Sequence, residues 1–406
     1  MADNHPLSMS AVSHPLRRIA VPAFGPSLLF GIGEGAILPI LPLTARELGA
    51  SVPVAALMVA LIGIGSLLSN LPASLLTMRH GERWAIVAAA LWAALAMALC
   101  ALTPHLAVFA LGCFMVGMSQ AVFNLARQSY LSEAVPHEWR ARALSTLGGV
   151  MRIGLFVGPF VSAAVVHRYG MVGAYGVGVA TLLAAGVIAA RIPDLPTPQV
   201  APATTLALRA TLRDHRHVFL TLGIGVMLVA AVRASRQAVI PLWADQLALA
   251  PSVASLIYGL SAAVDMLVFY PAGRVMDRHG RRWVAVPSML IMGTALLLMP
   301  LTQGAWTLMI VAMAIGFGNG IGSGLVMTLG ADHSPPGGRA RFLGVWRLMV
   351  DIGATGGPVL LSFLAGALTL GAGAASTGLL ALAAAGVLGY WIPRIAPPRP
   401  SDRPPP

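Results

Sequence analysis

The chain contains no lysine and only 14 acidic residues among 406, so its net charge of +12 is carried by arginine alone. Charged residues make up 10% of it and aromatic residues 6%, against 57% hydrophobic residues and a mean hydropathy of +0.80. That scarcity excludes a soluble enzyme of ordinary composition. Cysteine is scarce too. Cys100 and Cys113 both fall inside apolar runs, which leaves them as small packing residues and excludes a disulfide scaffold. The ten histidines form no ligand-spaced set, so neither a metal centre nor a membrane-enzyme site is expected, and no cofactor is implied. Nothing resembles a Walker phosphate loop; the glycine-rich GFGNGIGSG at 316–324 lies within an apolar run and reads as close helix packing. The alternating ten-residue segments of a β-barrel are not visible either.

What is present is a succession of long apolar runs, each able to cross about 30 Å of hydrocarbon. Twelve can be placed, at roughly 21–43, 53–77, 84–103, 106–130, 143–167, 171–190, 217–242, 252–274, 284–302, 305–330, 342–366 and 372–392. The fold class is therefore an all-α polytopic membrane protein. Nineteen of the 26 arginines fall in one alternating set of connections, and the opposite set holds only Arg46 and Arg168. Short arginine-rich connections stay cytoplasmic, so both termini are expected inside a bacterial-type cytoplasmic (inner) membrane. The basic charge is thus a topology signal with some attraction for anionic membrane lipid, and nucleic acid is not an expected partner. The first eighteen residues are polar and precede a full-length span, which argues against a cleaved signal peptide.

The chain repeats itself at an offset of 199 residues. Pro42-Leu43 recurs as Pro241-Leu242, Arg79-His80-Gly81 as Arg278-His279-Gly280, and Trp84 as Trp283. Arg140-Ala141-Arg142 recurs as Arg339-Ala340-Arg341, and Gly158-Pro159 as Gly357-Pro358, with no gap from Pro42 to Pro159. A duplicated six-helix unit inserts the same way up twice, so the halves should be related by a pseudo-two-fold axis along the membrane normal. The expected organisation is a six-helix bundle over 1–193, a cytoplasmic linker over 194–217, a second bundle over 218–393 and a disordered cytoplasmic tail over 394–406.

With these features the whole chain resembles a twelve-helix transporter of the major facilitator superfamily. Gly273, Asp277, Arg278, Gly280, Arg281 and Arg282 in GRVMDRHGRR fit that family's signature for the loop between spans 8 and 9. Gly154, Gly158 and Pro159 in span 5, repeated as Gly353, Gly357 and Pro358 in span 11, fit in part the Gly-Pro signature of its drug:proton antiporter branch. The resemblance implies that Asp277 lies beside the start of span 5, near Arg140 and Arg142, as an inner latch between the halves. The rival reading is that these arginines only enforce topology. The first copy of the phrase has Met78 in place of the acid. Glycines four apart on one helix face suit either a moving interface or plain close packing, and the prolines allow a kink.

Charges deep in the membrane are costly and usually face a cavity or a partner. Glu34, Asp265 and Asp351 are the deep acids, and Arg152, Arg233 and Arg236 the deep bases; Arg127 and Arg347 lie nearer the inner surface, within snorkelling reach. The family arrangement sets spans 5 and 8 side by side, so an Arg152–Asp265 pair is expected. Glu34 and Arg233, like Arg152 and Asp351, are repeat-equivalent with opposite charge, and such positions can face each other across the axis. The resemblance also implies that spans 1, 4, 7 and 10 line a central cavity, which brings Glu34, Gln120, Asn124, Arg127, Arg233, Arg236 and Asn319 to the substrate route. A carboxyl in a low-dielectric site keeps its proton unless an arginine is adjacent. Glu34 is therefore the first candidate for proton coupling, followed by Asp265 and Asp351.

The expected function is secondary transport of a small organic molecule, acting as a monomer: export of a drug, secondary metabolite or siderophore in exchange for protons. The excess of buried arginine leans toward an anionic or polyoxygenated cargo. A proton symporter or facilitator importing a sugar or organic acid is the rival, and a membrane enzyme or non-transporting receptor is least favoured.

Overall fold

The computed structural model describes residues 13–135, 140–192, 213–335 and 339–395, and side chains from Phe24 onward except those of 140–142 and 340. Most of the expected linker and the tail beyond 395 lie outside the described residues. Within them the chain is helical with no strand, as follows when every backbone polar group must be satisfied inside hydrocarbon.

Eleven helices are long and apolar enough to cross a membrane, and together they make twelve crossings. Span 1 is Ser13–Ile37, continued after a turn by Leu41–Glu47. Spans 2 and 3 share one assigned helix, Val52–Leu102, whose 51 residues turn at Gly81 (φ 79°, ψ 164°). At 1.5 Å per residue a straight helix of that length would be about 77 Å long, far more than a bilayer. Spans 4, 5 and 6 are Leu106–Ala134, Arg140–Tyr169 and Met171–Ala189. In the second half span 7 is Ile224–Gln246, and spans 8 and 9 are Pro251–His279 and Arg282–Leu298. Span 10 is Ala305–Ile321 followed by Leu325–His333, and spans 11 and 12 are Arg339–Ala367 and Leu370–Trp391.

The duplication is visible in backbone detail. Gly81 and Gly280 are equivalent and both adopt positive φ, 79° and 94°. Span 1 ends in a Schellman turn at Gly49 (φ 85°), where the amides of Gly49 and Ala50 donate to the carbonyls of Arg46 and Ala45. Span 7 ends the same way: Ala248 and Leu249 donate to Asp245 and Ala244 at 2.9 and 3.0 Å. Ala248 has φ 53° and is the one non-glycine residue with positive φ among the described residues. A Cβ is costly in that region, so the second copy keeps the turn at some strain.

The Gly-Pro positions lie inside the halves. A Cβ on Gly154 would sit 2.5 Å from the Leu28 carbonyl oxygen, and one on Gly158 would sit 2.5 Å from that of Ile32. Gly353 and Gly357 meet the carbonyls of Met227 and Ala231, the equivalents of Leu28 and Ile32. These glycines press span 5 onto span 1 and span 11 onto span 7, as the close-packing reading expects. The interface between halves is made chiefly by span 5 against span 8 and span 2 against span 11.

Candidate functional site

Glycines in span 10 set up the central site. A Cβ on Gly316 would collide with the Ser261 carbonyl, and one on Gly320 would lie 2.5 Å from that of Asp265. Span 10 can therefore lie directly against span 8, which brings the Asn319 amide to donate to the Asp265 carboxylate. Gly324, in the left-handed region at φ 82°, then breaks the span. GFGNGIGSG thus supplies both close packing and a break.

Asp265 is the hub of a charge network. It is 8% exposed. Arg152 Nη1 lies 3.5 Å from Oδ1, and Arg236 Nη2 lies 3.4 Å from Oδ2. The Arg152–Asp265 bridge joins the two halves, and the Arg152 guanidinium also lies 4.6 Å from the centre of the Phe269 ring. Arg236 is a second partner that the sequence placed only on the cavity wall.

Glu34, Arg127, Arg152, Arg236, Asp265 and Asn319 line one cavity of about 290 Å³, which reaches Gly148 toward the basic end of span 5. Tyr258, Phe156 and Met266 are also in its wall; these side chains carry no formal charge, and sequence reasoning passed them over. Glu34 Oε1 accepts a 2.9 Å hydrogen bond from Gln120, and Arg127 lines the same cavity. Two Arg127 nitrogens, Nε and Nη1, are buried without a hydrogen-bond partner among the described residues. Its guanidinium lies 5.7 Å from the Phe123 ring centre. Arg127 therefore faces the cavity and does not snorkel to the surface. Asn124 is half-buried on span 4 and lines neither this cavity nor the next.

A smaller cavity of about 150 Å³ also has Glu34 in its wall, together with Gln120, Gln237 and Asp351. Asp351 accepts from Arg347 at 3.1 Å and from Asn70, across the interface, at 3.0 Å. Two sequence expectations are corrected here. Asp351 pairs with Arg347 and Asn70, while Arg152 pairs with Asp265. Arg233 turns into its own half, where Nη2 would lie 2.6 Å from a Cβ on Gly322, and it does not reach either cavity beside Glu34. Helix geometry had set the depth of these residues but not the direction of their side chains.

The repeat-equivalent charges that do meet are Arg46 and Asp245. Arg46 Nε lies 3.0 Å from Asp245 Oδ2, and Nη1 also donates to the Ala50 carbonyl at 2.6 Å. This pair, together with a 2.7 Å bond from Ser362 to the Pro53 carbonyl, clasps the halves at the face away from the basic loops. Arg46 lies in the last turn of the helix that continues span 1, and the sequence marks it only as an exception to the arginine bias.

The GRVMDRHGRR loop is fastened within its own half. Arg281 reaches Asp332 at the end of span 10 at 2.9 Å and Asp277 at 3.3 Å. The hydrogen-bonded Asp332 carboxylate pushes the Arg281 pKa further up. Asp277 is 76% exposed and takes Arg281 as its partner; the side chains of Arg140 and Arg142 lie outside the described residues. Arg278 and Arg282 are exposed, and Gly273 has open space around it. In the first copy, Glu82 stands at the Arg281 position and accepts from Ser129 at 2.9 Å.

Comparison with known proteins agrees with this architecture. The family described as Major Facilitator Superfamily matches residues 26–235 and 222–406. A protein of Bacillus subtilis (strain 168) named "Uncharacterized MFS-type transporter YhjO" is 24% identical over 319 residues, covering 77% of this chain and 78% of its own. A POT family transporter solved with a thioalcohol-conjugated peptide superposes with a TM-score of 0.78 at 12% identity, over 93% of this chain and 96% of that one. A bacterial homologue of the human lysosomal transporter Spinster, in an inward-facing, unoccupied conformation, gives 0.72 at 16%, over 93% and 95%. At such identities these structures share the fold.

Proposed function

Because the chain belongs to the Major Facilitator Superfamily, we propose that this membrane transporter carries small organic anions by alternating access, with Glu34 as the proton carrier and Arg127 as the anion contact. The observation that carries this reading is Arg127, whose buried Nε and Nη1 lack a partner while it lines the same cavity as Glu34. Three arginines and two carboxylates line that cavity, a formal balance of +1 that becomes +2 when Glu34 is protonated. Asp265 is already matched by Arg152, Arg236 and Asn319, so of the three arginines that line the cavity Arg127 is the one left for cargo; Arg233, which also has unpartnered buried nitrogens, is not in its wall. A carboxylate or similar anion would gain a charge-assisted, fork-shaped contact there.

Linkage sets the direction of coupling. An anion on Arg127 and a proton on Glu34 each offset the other's charge, so the two favour binding together. Co-transport follows from this charge balance. The exchange mode implied by the Gly-Pro signature would need cargo and proton to compete for Glu34, as a cationic drug would. The closed Arg46–Asp245 clasp and the reach of the cavity toward Gly148 support a state open to the basic face, which the positive-inside rule assigns to the cytoplasm of an inner membrane. In this scheme the monomer rocks between that state and one in which the clasp has parted. Asp277 closes the opposite side by meeting the positive end of span 5.

The test is a cargo screen in proteoliposomes with an imposed proton gradient, using matched organic anions and cations. Accumulation of an anion driven by external acid supports the reading, with Glu34→Gln losing accumulation but keeping counterflow. Accumulation of a cation driven by internal acid would replace it with the exchange mode.

A further inference from the structure

On the membrane side of the first half, spans 2, 3 and 4 part around an apolar groove of about 320 Å³. Pro72 and Leu76 line it from span 2, Ala88 and Trp92 from span 3, and Met118 and Val122 from span 4. Pro72, Ala88 and Trp92 are exposed at its mouth, so it opens outward and lies apart from the central cavity. The same spans pack tightly further along, where a Cβ on Gly117 would strike the Ile62 carbonyl. In hydrocarbon an apolar recess of this kind holds an acyl chain, because water there would lack hydrogen-bond partners.

The two repeats differ at this place. The residues equivalent to Ala88 and Met118 are the bulkier Pro287 and Phe317, while those equivalent to Trp92 and Leu76 are the smaller Ile291 and Val275. The adjoining loops also differ in charge. In the second half Arg281 is matched by Asp277 and Asp332. In the first, Met78 replaces the acid, and Glu82 is 4% exposed and bound to Ser129. Arg79 is exposed at the end of span 2, and exposed Trp84 at the start of span 3 carries the Arg83 guanidinium 5.1 Å from its ring centre, residue types that suit a headgroup layer. Pro72 and Arg79 are seven residues apart, about 10 Å along the helix, so a chain in the groove would place its phosphate at the level of Arg79.

We propose that this groove binds one anionic phospholipid from the leaflet at the basic face, with an acyl chain between spans 2, 3 and 4 and its phosphate on Arg79. The site bears on the transport cycle through span 2. The other side of that helix meets span 11, where Asn70 donates to Asp351 at 3.0 Å and a Cβ on Gly63 would lie 2.8 Å from the Thr355 hydroxyl. Pro72 removes a backbone bond between groove and interface, so a bound chain braces a weak point of a helix that must move. This inference rests on membrane insertion and is independent of the cargo.

The test uses purified protein equilibrated with an equimolar mixture of phosphatidylglycerol and phosphatidylcholine, with retained lipid counted by native mass spectrometry. Quenching of Trp92 is followed in nanodiscs containing bromine-labelled acyl chains, as the difference between wild type and Trp92→Phe. Wild type should retain one phosphatidylglycerol in preference. Met118→Phe, which copies the second half, should lose that lipid and the quenching. Arg79→Gln should keep the quenching but lose about fivefold in preference for phosphatidylglycerol. Leu379→Phe, on lipid-exposed span 12, is the control for added bulk, and Ala88→Leu replaces Met118→Phe if the latter does not fold. Equal retention by wild type and the groove-filled variant, or no headgroup preference in wild type, overturns the proposal and leaves ordinary boundary lipid.

Discussion

Replacing Asp265 with asparagine should destabilise the protein far more than replacing either arginine that holds it. The carboxylate is 11% exposed as a side chain, with Arg152 at 3.5 Å and Arg236 at 3.4 Å. Asp265→Asn leaves two guanidinium groups together without a counter-charge. Breaking a buried pair from one side costs about 3–5 kcal/mol. Arg152→Gln leaves the carboxylate with Arg236 and Asn319, and Arg152 is itself 32% exposed, so only one charge-assisted contact is lost, about 1.5–3 kcal/mol before solvent screening is allowed for. The two variants should therefore differ by about 2 kcal/mol, or roughly thirtyfold in the unfolding constant. The triple variant Arg152→Gln, Asp265→Asn, Arg236→Gln removes the whole network and should recover most of the loss. The assay is reversible unfolding in mixed detergent and SDS micelles, followed by tryptophan fluorescence. Equal costs for Asp265→Asn and Arg152→Gln, or a triple variant no better than Asp265→Asn, would refute the hub. A simple swap of Arg152 with Asp265 should not restore transport, because the new arginine would face Arg236.

Three further outcomes follow from the geometry. Arg46→Asp should raise thiol labelling of a cysteine placed at the end of span 1, and adding Asp245→Arg should reverse most of that rise, since it restores the ion pair but not the bond from Arg46 to the Ala50 carbonyl; no rescue would remove the clasp. Ala248→Gly should stabilise the protein by about 1 kcal/mol by relieving a Cβ at positive φ, read in the same unfolding assay, and a loss of stability would contradict the strain. Gly158→Ala should impair folding yield because its Cβ meets the Ile32 carbonyl, whereas Gly148→Ala, with open space around it, should express normally.

Much of the fold was legible because hydrocarbon leaves the chain few choices. Span length, arginine asymmetry and the 199-residue offset are each consequences of a bilayer and a duplication, and none needs side-chain geometry. Glycine and proline were legible as packing and turn residues, although only the structure shows that Gly154 and Gly158 fasten span 5 to span 1. The charge network was harder to read. Depth along a helix is a matter of counting, and it placed Arg152 level with Asp265. Rotation is not counted so easily: Arg236 turned toward Asp265 while Arg233, one turn earlier, faced into its own half. Arg46 and Asp245 escaped notice because each ends a span, where a charge needs no explanation. The GRVMDRHGRR loop was readable as a family mark, but its strongest contact is Arg281 to Asp332, 51 residues away.

The central claim is that an anion and a proton occupy the cavity together through Arg127 and Glu34. Proton exchange on cargo binding tests it most directly: purified protein in weakly buffered detergent near neutral pH, a pH-indicator dye, and the anion identified by the screen. The account predicts uptake of about one proton per protein as cargo binds, absent in Glu34→Gln, and loss of binding in Arg127→Gln. Release of a proton on binding, or uptake that persists in Glu34→Gln, would contradict it.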